Sequence, residues 1–513
     1  MISGPRGRST DVNATVGSVE YWAGLRPDDI AVVEGERTLT FGDWNNAADR
    51  LAEGLSRRGV AAGDIVGVRT QIRLEWAILS AALGKLGARL LVANWRLTPE
   101  EMRFILENSR AKALILDDPD PSPVLAVARQ VGVELIVGIG AAPGGVEPLI
   151  NLFVDDAPRR FAAADPSLVV YTSGTTGRPK GVAMPERPPP PTPEALGPAG
   201  AMLVTMPMHH AAGPNQLWTG RATGRLTVLM RRFDAEQALA LIDRHRINYW
   251  AAVPTMCQRI SVLPPEVLAR YDVSSIRSIS LGAAPVPFAL KQWVIGHFGE
   301  GKLSEGYGTT ETGMITGLSP AEQLRKPGSS GLALPNVDIR IRNGEGRDLP
   351  PGETGDIWVR TPTTIPAYLN AGALGADTLD PEGFFKVGDV GRLEADGHLY
   401  LTDRSKDMIV AGGVNIYPAE IEAELQAHPQ VLAAAVVGIP DDDFGEAPIA
   451  FLEMRPGATA TPDQVAASVQ GRLASYKRPK AIHIIDELPR NLMGKVLKTE
   501  LRAPYWKGRE RLI

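Results

Sequence analysis

Two hydrophobic periods alternate along the first several hundred residues. Thr38–Trp44 reads as a strand end that leads into a helix, where Ala47, Leu51 and Leu55 fall at i, i+4 and i+8 and form one apolar stripe. Ile65–Arg69 then predicts a strand and Glu75–Leu86 a helix. Leu90–Ala93, Pro99–Asn108 and Ala113–Leu116 continue as strand, helix and strand. The alternation resumes with strands at Leu226–Met230, Tyr249–Val253 and Ile276–Leu281 around a helix at Ala235–Arg244. Strands separated by helices of this length predict parallel sheets joined by right-handed crossovers.

The pattern changes after about Ser330. Short strand candidates, Val337–Arg342 and Asp356–Arg360, are separated by Gly/Pro turns and predict a β-rich subdomain. It changes again near Asp403. Pro418 starts a short helix with Ile421 and Leu425 on one face, and Pro429 stops it. Val431–Val437, Ala450–Met454 and Ile482–Ile485 read as strands around a helix near Val465–Leu473, a unit of independent-domain size. The expected fold class is α/β. Residues 1–402 form a large domain of mixed parallel sheets flanked by helices with the β-rich subdomain, and residues 403–513 form a small α+β domain. The boundary is set at Thr402–Asp407. The run Pro188–Pro191 fits neither a helix nor a central strand and reads as an extended surface loop.

Composition narrows the function classes. A chain of 513 residues exceeds one hydrophobic core, which agrees with two domains. The net charge of -5, from 54 basic and 59 acidic residues, gives no reason to expect nucleic acid or an anionic membrane as partner. Cys257 is the only cysteine, so no internal disulfide can form and a cytoplasmic location is expected; the thiol reads as buried core. The N-terminus MISGPRGRST lacks a signal-peptide apolar stretch. Ala77–Trp95, broken by Lys85 and Arg89, reads as a core helix followed by a strand. Peripheral membrane association and a homodimer stay open.

Thr172–Lys180 carries the clearest chemistry. Its glycines let backbone N–H groups approach an anion, its hydroxyls (Thr172, Ser173, Thr175, Thr176) add donors, and Lys180 adds a cation. Pro179 before the lysine separates it from the common P-loop order, while the apolar run Leu168–Tyr171 leads into it like a strand. A Gly/Thr-rich surface turn is the bland alternative.

The eleven-residue string Tyr171–Gly181 (YTSGTTGRPKG) strongly resembles the phosphate loop of the adenylate-forming superfamily, which includes acyl-CoA synthetases, peptide-synthetase adenylation domains and firefly-type luciferases. The resemblance runs in order over nearly the whole chain. It implies that Thr172, Ser173, Gly174, Thr175, Thr176, Gly177 and Lys180 hold ATP phosphates. In Gly306–Glu311 (GYGTTE) it implies that Tyr307 stacks on adenine, Thr310 touches the α-phosphate and Glu311 holds Mg²⁺, a hard cation suited to a carboxylate. Gly282, Ala283 and Ala284 would line the adenine pocket, Asp389 would bind the ribose hydroxyls and Arg404 the ribose or a phosphate, although Val387 replaces the usual threonine. Lys406 corresponds to the interdomain hinge, and Gly412 and Gly413 to the loop lining the coenzyme A tunnel. Lys495 corresponds to the catalytic lysine. His209, His210, Gly213 and Met314 would line the acyl pocket, with His209 in place of the usual phenylalanine. Met206, Met208, Pro214 and Trp218 make that region mostly apolar, and Met206–Gly213 holds no aspartate to anchor a substrate amine.

The implied activity is ATP- and Mg²⁺-dependent conversion of a hydrophobic carboxylic acid (fatty, aromatic or sterol side chain) to acyl-AMP and pyrophosphate, then to acyl-CoA and AMP. The small domain would turn about Lys406 between the steps. Three alternatives stand beside it: an acyl-AMP ligase serving a carrier protein, a luciferase-like oxygenase, and a non-catalytic nucleotide sensor. The AGGVNIYP loop and the lack of a fused carrier domain favour coenzyme A. The presence of Lys180, Glu311, Asp389, Arg404 and Lys495 together argues against the sensor. No Cys/His/Asp cluster suggests structural zinc.

Overall fold

The structure is a computed structural model that describes residues 15–118, 120–140, 146–155, 165–172, 179–185, 200–404, 407–411, 414–441, 444–491 and 493–507, without the side chains of 403, 404 and 415. The proline run 188–191 lies outside the described residues. The chain divides into two compact units, one formed by residues up to 251 with 268–278 and 365–374, the other by 252–267, 279–364 and 375 onward.

The first unit contains a seven-stranded sheet in the order Glu147–Pro148, Leu135–Gly138, Ala113–Leu116, Ile65–Arg69, Arg89–Val92, Leu168–Thr172 and Lys180–Ala183. All neighbours are parallel except the last pair, a hairpin. The expected alternation is realised. The helices Phe41–Arg57 and Glu75–Leu86 bury Leu51, Leu55, Ile78, Leu79 and Leu83 almost completely, each contributing on the order of 1.5–3 kcal/mol of apolar burial. Thr40 caps the first helix by accepting from the Asp43 amide. Gly87, at φ 71°, ends the second in the left-handed region that glycine adopts without strain. Lys85, which breaks the apolar run, is buried against Asp49 at 2.6 Å, Asn45 at 2.8 Å and Glu20. These partners offset the desolvation of its ammonium. A further set of strands in this unit runs parallel, Ile247–Ala252, Ala201–Val204, Leu226–Leu229 and Ile30–Glu34, with Arg37–Thr40 as an antiparallel edge.

The second unit holds the β-rich part. Its strands follow the order Asp338–Arg342, Thr354–Arg360, Phe385–Leu393, Leu399–Arg404, Ser329–Ala333, Gly313–Leu318, Leu303–Thr309 and Ser278–Gly282, antiparallel apart from the last pair. C-terminal to residue 408, a separate five-stranded sheet packs with the helices Pro418–Gln426 and Pro462–Val469 around Ile409, Ile421, Leu425, Val436, Leu452 and Val465. Of the boundaries that differ from the hydrophobic pattern, two have clear local reasons. The helix begins at Pro462 because Thr461 and Gln464 form a capping box ahead of it. The strand Val431–Asp441 continues through Pro440, which an edge strand tolerates because the missing N–H leaves no ladder bond unmade. Among the described residues no helix is long and apolar enough to cross a membrane.

Candidate active site

In the second unit the strands Leu303–Thr309 and Gly313–Leu318 form a hairpin whose three-residue turn carries Thr310 and Glu311. Tyr307, one turn-ward step along the first strand, is half-buried, and its hydroxyl donates to Asp389 Oδ2 at 2.7 Å. Residues 82 positions apart, expected on adenine and on ribose, are thereby joined directly. Asp389 pairs across the ladder with Arg404, whose side chain lies outside the described residues. On the other side of the hairpin, Gly282 pairs with Gly306 in parallel register. Ala283 follows at φ 66°, a left-handed conformation that costs a non-glycine residue about 1–3 kcal/mol and gathers at functional sites. Met314, 54% exposed, lies over Gly306, where an added Cβ would come within 2.5 Å of its Cε.

In the first unit Thr172 and Lys180 are paired across the antiparallel strands Leu168–Thr172 and Lys180–Ala183. Ser173, Gly174, Thr175, Thr176 and Gly177 lie outside the described residues. The Lys180 ammonium sits 4.8 Å from the centre of the Tyr368 ring. These strands are tied down by Leu369 N–H, which donates to the Gly181 carbonyl at 2.7 Å, and by the Tyr171 hydroxyl, which donates to Asn108 Oδ1 at 2.6 Å. Burial raises the Tyr171 hydroxyl pKa, so it stays a donor.

His209 and His210 stand between the strand Ala201–Val204 and the helix Ala212–Ala222 with ring centres 4.6 Å apart. Burial, with smaller contributions from His210 and Arg96, lowers His209 to about 2; burial alone lowers His210 to about 4. Both rings are neutral at physiological pH. His209 Nε2 is buried with no protein partner. Gly213 backs this corner closely, since an added Cβ would meet the Pro207 carbonyl oxygen at 2.5 Å. Met206 and Met208 are buried. Trp218 donates to Asp165 at 2.8 Å and lines a small cavity with Lys85, Arg221 and Leu217. Cys257 is buried with its thiol pushed up to about 12, as befits an inert core residue.

Lys495 sits in a tight turn. The Asn491 side chain accepts from the amides of Met493 and Lys495, both at 3.0 Å. The Asn491 amide donates to the Lys495 carbonyl at 2.8 Å. Gly494, at φ 72°, supplies the left-handed step, and a Cβ there would collide with the Thr255 hydroxyl. The turn is therefore seated against the start of the helix Pro254–Ser261. Lys406, Gly412 and Gly413 lie outside the described residues.

Residues 19–369 match the model of AMP-binding enzymes, and residues 420–495 match that of the AMP-binding enzyme C-terminal domain. The chain belongs to the AMP-binding enzyme family. This AMP-binding enzyme is 34% identical to the indoleacetate–CoA ligase of Aromatoleum aromaticum over 94% of its own length and 96% of that protein. It is 32% identical to a long-chain-fatty-acid–CoA ligase of Mycobacterium tuberculosis over 91% and 93%. Among solved structures it resembles the o-succinylbenzoate CoA synthetase of Bacillus subtilis in complex with its acyl-adenylate intermediate. The TM-score is 0.77 and the identity 30%, covering 94% of this chain and 97% of that one.

The donor set around the turn fits Mg²⁺ delivered with a nucleotide. Glu311 offers a carboxylate and Thr310 a hydroxyl oxygen, both hard ligands, while the Thr312 hydroxyl is buried against that of Thr309. Among the described residues no group of three or more His, Cys, Asp or Glu could hold a metal alone. Tyr368 and Thr255, which support Lys180 and the Lys495 turn, carry no local sequence signal. Only the tertiary contacts identify them.

Proposed function

We propose that this AMP-binding enzyme is an ATP-dependent acid–thiol ligase of the cytoplasm that joins a hydrophobic carboxylic acid to coenzyme A through an acyl-adenylate. In the first step the acid carboxylate attacks the α-phosphorus of ATP and pyrophosphate leaves. In the second the thiolate of coenzyme A attacks the acyl carbonyl and AMP leaves. The loop Thr172–Lys180 cradles the phosphates, and Tyr307, Asp389 and Arg404 hold the nucleoside. Gly282, Ala283 and Ala284 flank the adenine. Mg²⁺ on Glu311 supplies charge neutralisation for the approach of two anions. Lys495 presents its ammonium where negative charge grows on the α-phosphate. Residues 403–513 turn about Lys406 to bring the Gly412–Gly413 loop to the site for the second step.

The observation that carries this reading is the Tyr307–Asp389 hydrogen bond beside the Thr310–Glu311 turn. It supports one nucleoside site next to one metal-binding carboxylate. The neutral His209–His210 corner, with His209 buried, and the buried Met206 and Met208 support a hydrophobic acid. Acids with an aromatic ring come first, since indoleacetate and o-succinylbenzoate are the acids named for two relatives. The test incubates the protein with ATP, Mg²⁺, coenzyme A and a panel of arylacetic, aryl, fatty and sterol side-chain acids. Acyl-CoA and AMP are expected from at least one class. Acid-dependent pyrophosphate release without acyl-CoA would move the acceptor to a carrier protein, and no acid-dependent release would overturn the proposal.

A further inference from the structure

The turn that carries Thr310 and Glu311 is held from outside by two hydroxyls, those of Thr361 and Thr363. Thr312, which closes the turn, is fully buried. Within the turn its amide donates to Thr309 Oγ1 at 3.2 Å, and the Thr309 and Thr312 hydroxyls lie 2.8 Å apart. Its carbonyl oxygen accepts two further hydrogen bonds, from Thr361 Oγ1 at 2.6 Å and from Thr363 Oγ1 at 2.7 Å. Two donors saturate both lone pairs of a carbonyl, which fixes its direction and hence the plane of the peptide.

The two donors are themselves fixed. Thr361 Oγ1 accepts from the Thr363 amide at 3.2 Å, and the Thr361 amide donates to Thr364 Oγ1 at 3.2 Å. Gly313 leaves the space the Thr363 hydroxyl occupies, for a Cβ there would come within 2.5 Å of it. Thr361–Thr364 directly follow the strand Thr354–Arg360, which pairs with Phe385–Leu393, the strand carrying Asp389. The nucleoside residues and the metal turn are thus referred to one sheet.

We propose that Thr361 and Thr363 are positioning residues that clamp the Thr312 carbonyl and so aim Glu311 at Mg²⁺ before the metal–nucleotide complex arrives. This rests on the reading that the turn binds Mg²⁺ with ATP. A carboxylate at the tip of an unclamped three-residue turn would have to be ordered at the moment of binding. The clamp completes that ordering during folding.

The test is calorimetric titration of the full-length protein with ATP over a range of Mg²⁺ concentrations, and with ATP in EDTA, with no acid present. The double variant Thr361→Val, Thr363→Val keeps side-chain shape and removes both donors. The Mg²⁺ concentration for half-maximal tightening of ATP binding is expected to rise about 10–100-fold, the range for ligand-supporting residues around metals. ATP affinity in EDTA should change little. Thr361→Ser with Thr363→Ser should restore the Mg²⁺ response. Thr316→Val is the control: its buried hydroxyl donates to the Ser330 carbonyl at 2.6 Å in the same hairpin but away from the turn. It should lower the melting temperature comparably and leave the Mg²⁺ response unchanged. An unchanged Mg²⁺ response in the double valine variant, or an equal shift in Thr316→Val, would overturn the clamp. Failure of the wild-type protein to bind Mg²⁺–ATP would overturn the functional reading, and the clamp with it.

Discussion

At the residue scale two kinds of group matter, the cations proposed to act on the phosphates and the histidines that burial keeps neutral. Lys495 is the cation assigned to the adenylation step, so Lys495→Ala should slow acid-dependent pyrophosphate release on the order of 10²-fold or more, as for other preorganised charges. It should largely spare thioester formation from supplied acyl-adenylate. Equal loss in both steps would contradict the assignment. His209 makes a second prediction through pH. Its folded pKa of about 2 and that of His210, about 4, lie below the value near 6.5 of a free histidine. Unfolding therefore takes up protons below pH 6.5. The stability these neutral rings contribute is present above that pH and is lost as pH falls through 6 towards 4. His209→Phe, which discards an unpartnered Nε2, should flatten the fall in melting temperature between pH 6.5 and 4.5 relative to wild type. An identical fall would show that His209 is not held neutral.

At the scale of elements the site depends on turns and strand ends, and here legibility in the sequence divides. The strand Ile65–Arg69 and the helices Glu75–Leu86 and Ala235–Arg244 run between the residues their apolar pattern predicts, because burial decides them, on both faces of the strand and on one stripe of the helix Ala235–Arg244. The GYGTTE string announces its proposed chemistry because hydroxyls and a carboxylate are the donor types that phosphate and Mg²⁺ demand. The clamp from Thr361 and Thr363 announces nothing. Threonines after a strand read as an ordinary polar loop until the hairpin at Thr312 is brought beside them. The same holds for Thr255, where only contact shows why position 494 is glycine. Gly494→Ala should combine backbone strain at φ 72° with that collision. It should reduce pyrophosphate release while leaving nucleotide binding near wild type; unchanged turnover would mean that the turn geometry does not set Lys495. Tyr307→Phe keeps the ring and deletes its bond to Asp389, a hydrogen bond to a carboxylate worth about 1.5–3 kcal/mol. The KM for ATP should rise about tenfold or more with a smaller change in kcat. A KM equal to wild type would separate the two residues functionally.

For the whole molecule the claim is that one chain performs two reactions with shared parts. The family match extends from residue 19 to 369 and again from 420 to 495, and the relatives are aligned over nearly their full lengths. The identity of the acid was least legible in the sequence. It depends on the shape of an apolar surface, to which many residue choices are equivalent, whereas phosphate and Mg²⁺ demand particular donors. The acceptor stands between these limits, because the AGGVNIYP segment carries a motif but no unique ligand atom. Adenylation underlies every other assignment, and it needs neither the acceptor nor the domain turn to be observed. The most direct measurement is acid-dependent exchange of labelled pyrophosphate into ATP with Mg²⁺ and without coenzyme A. The account predicts exchange with at least one hydrophobic acid and none without acid or with EDTA. Absence of exchange across arylacetic, aryl, fatty and sterol side-chain acids, in a protein that binds Mg²⁺–ATP, would contradict it.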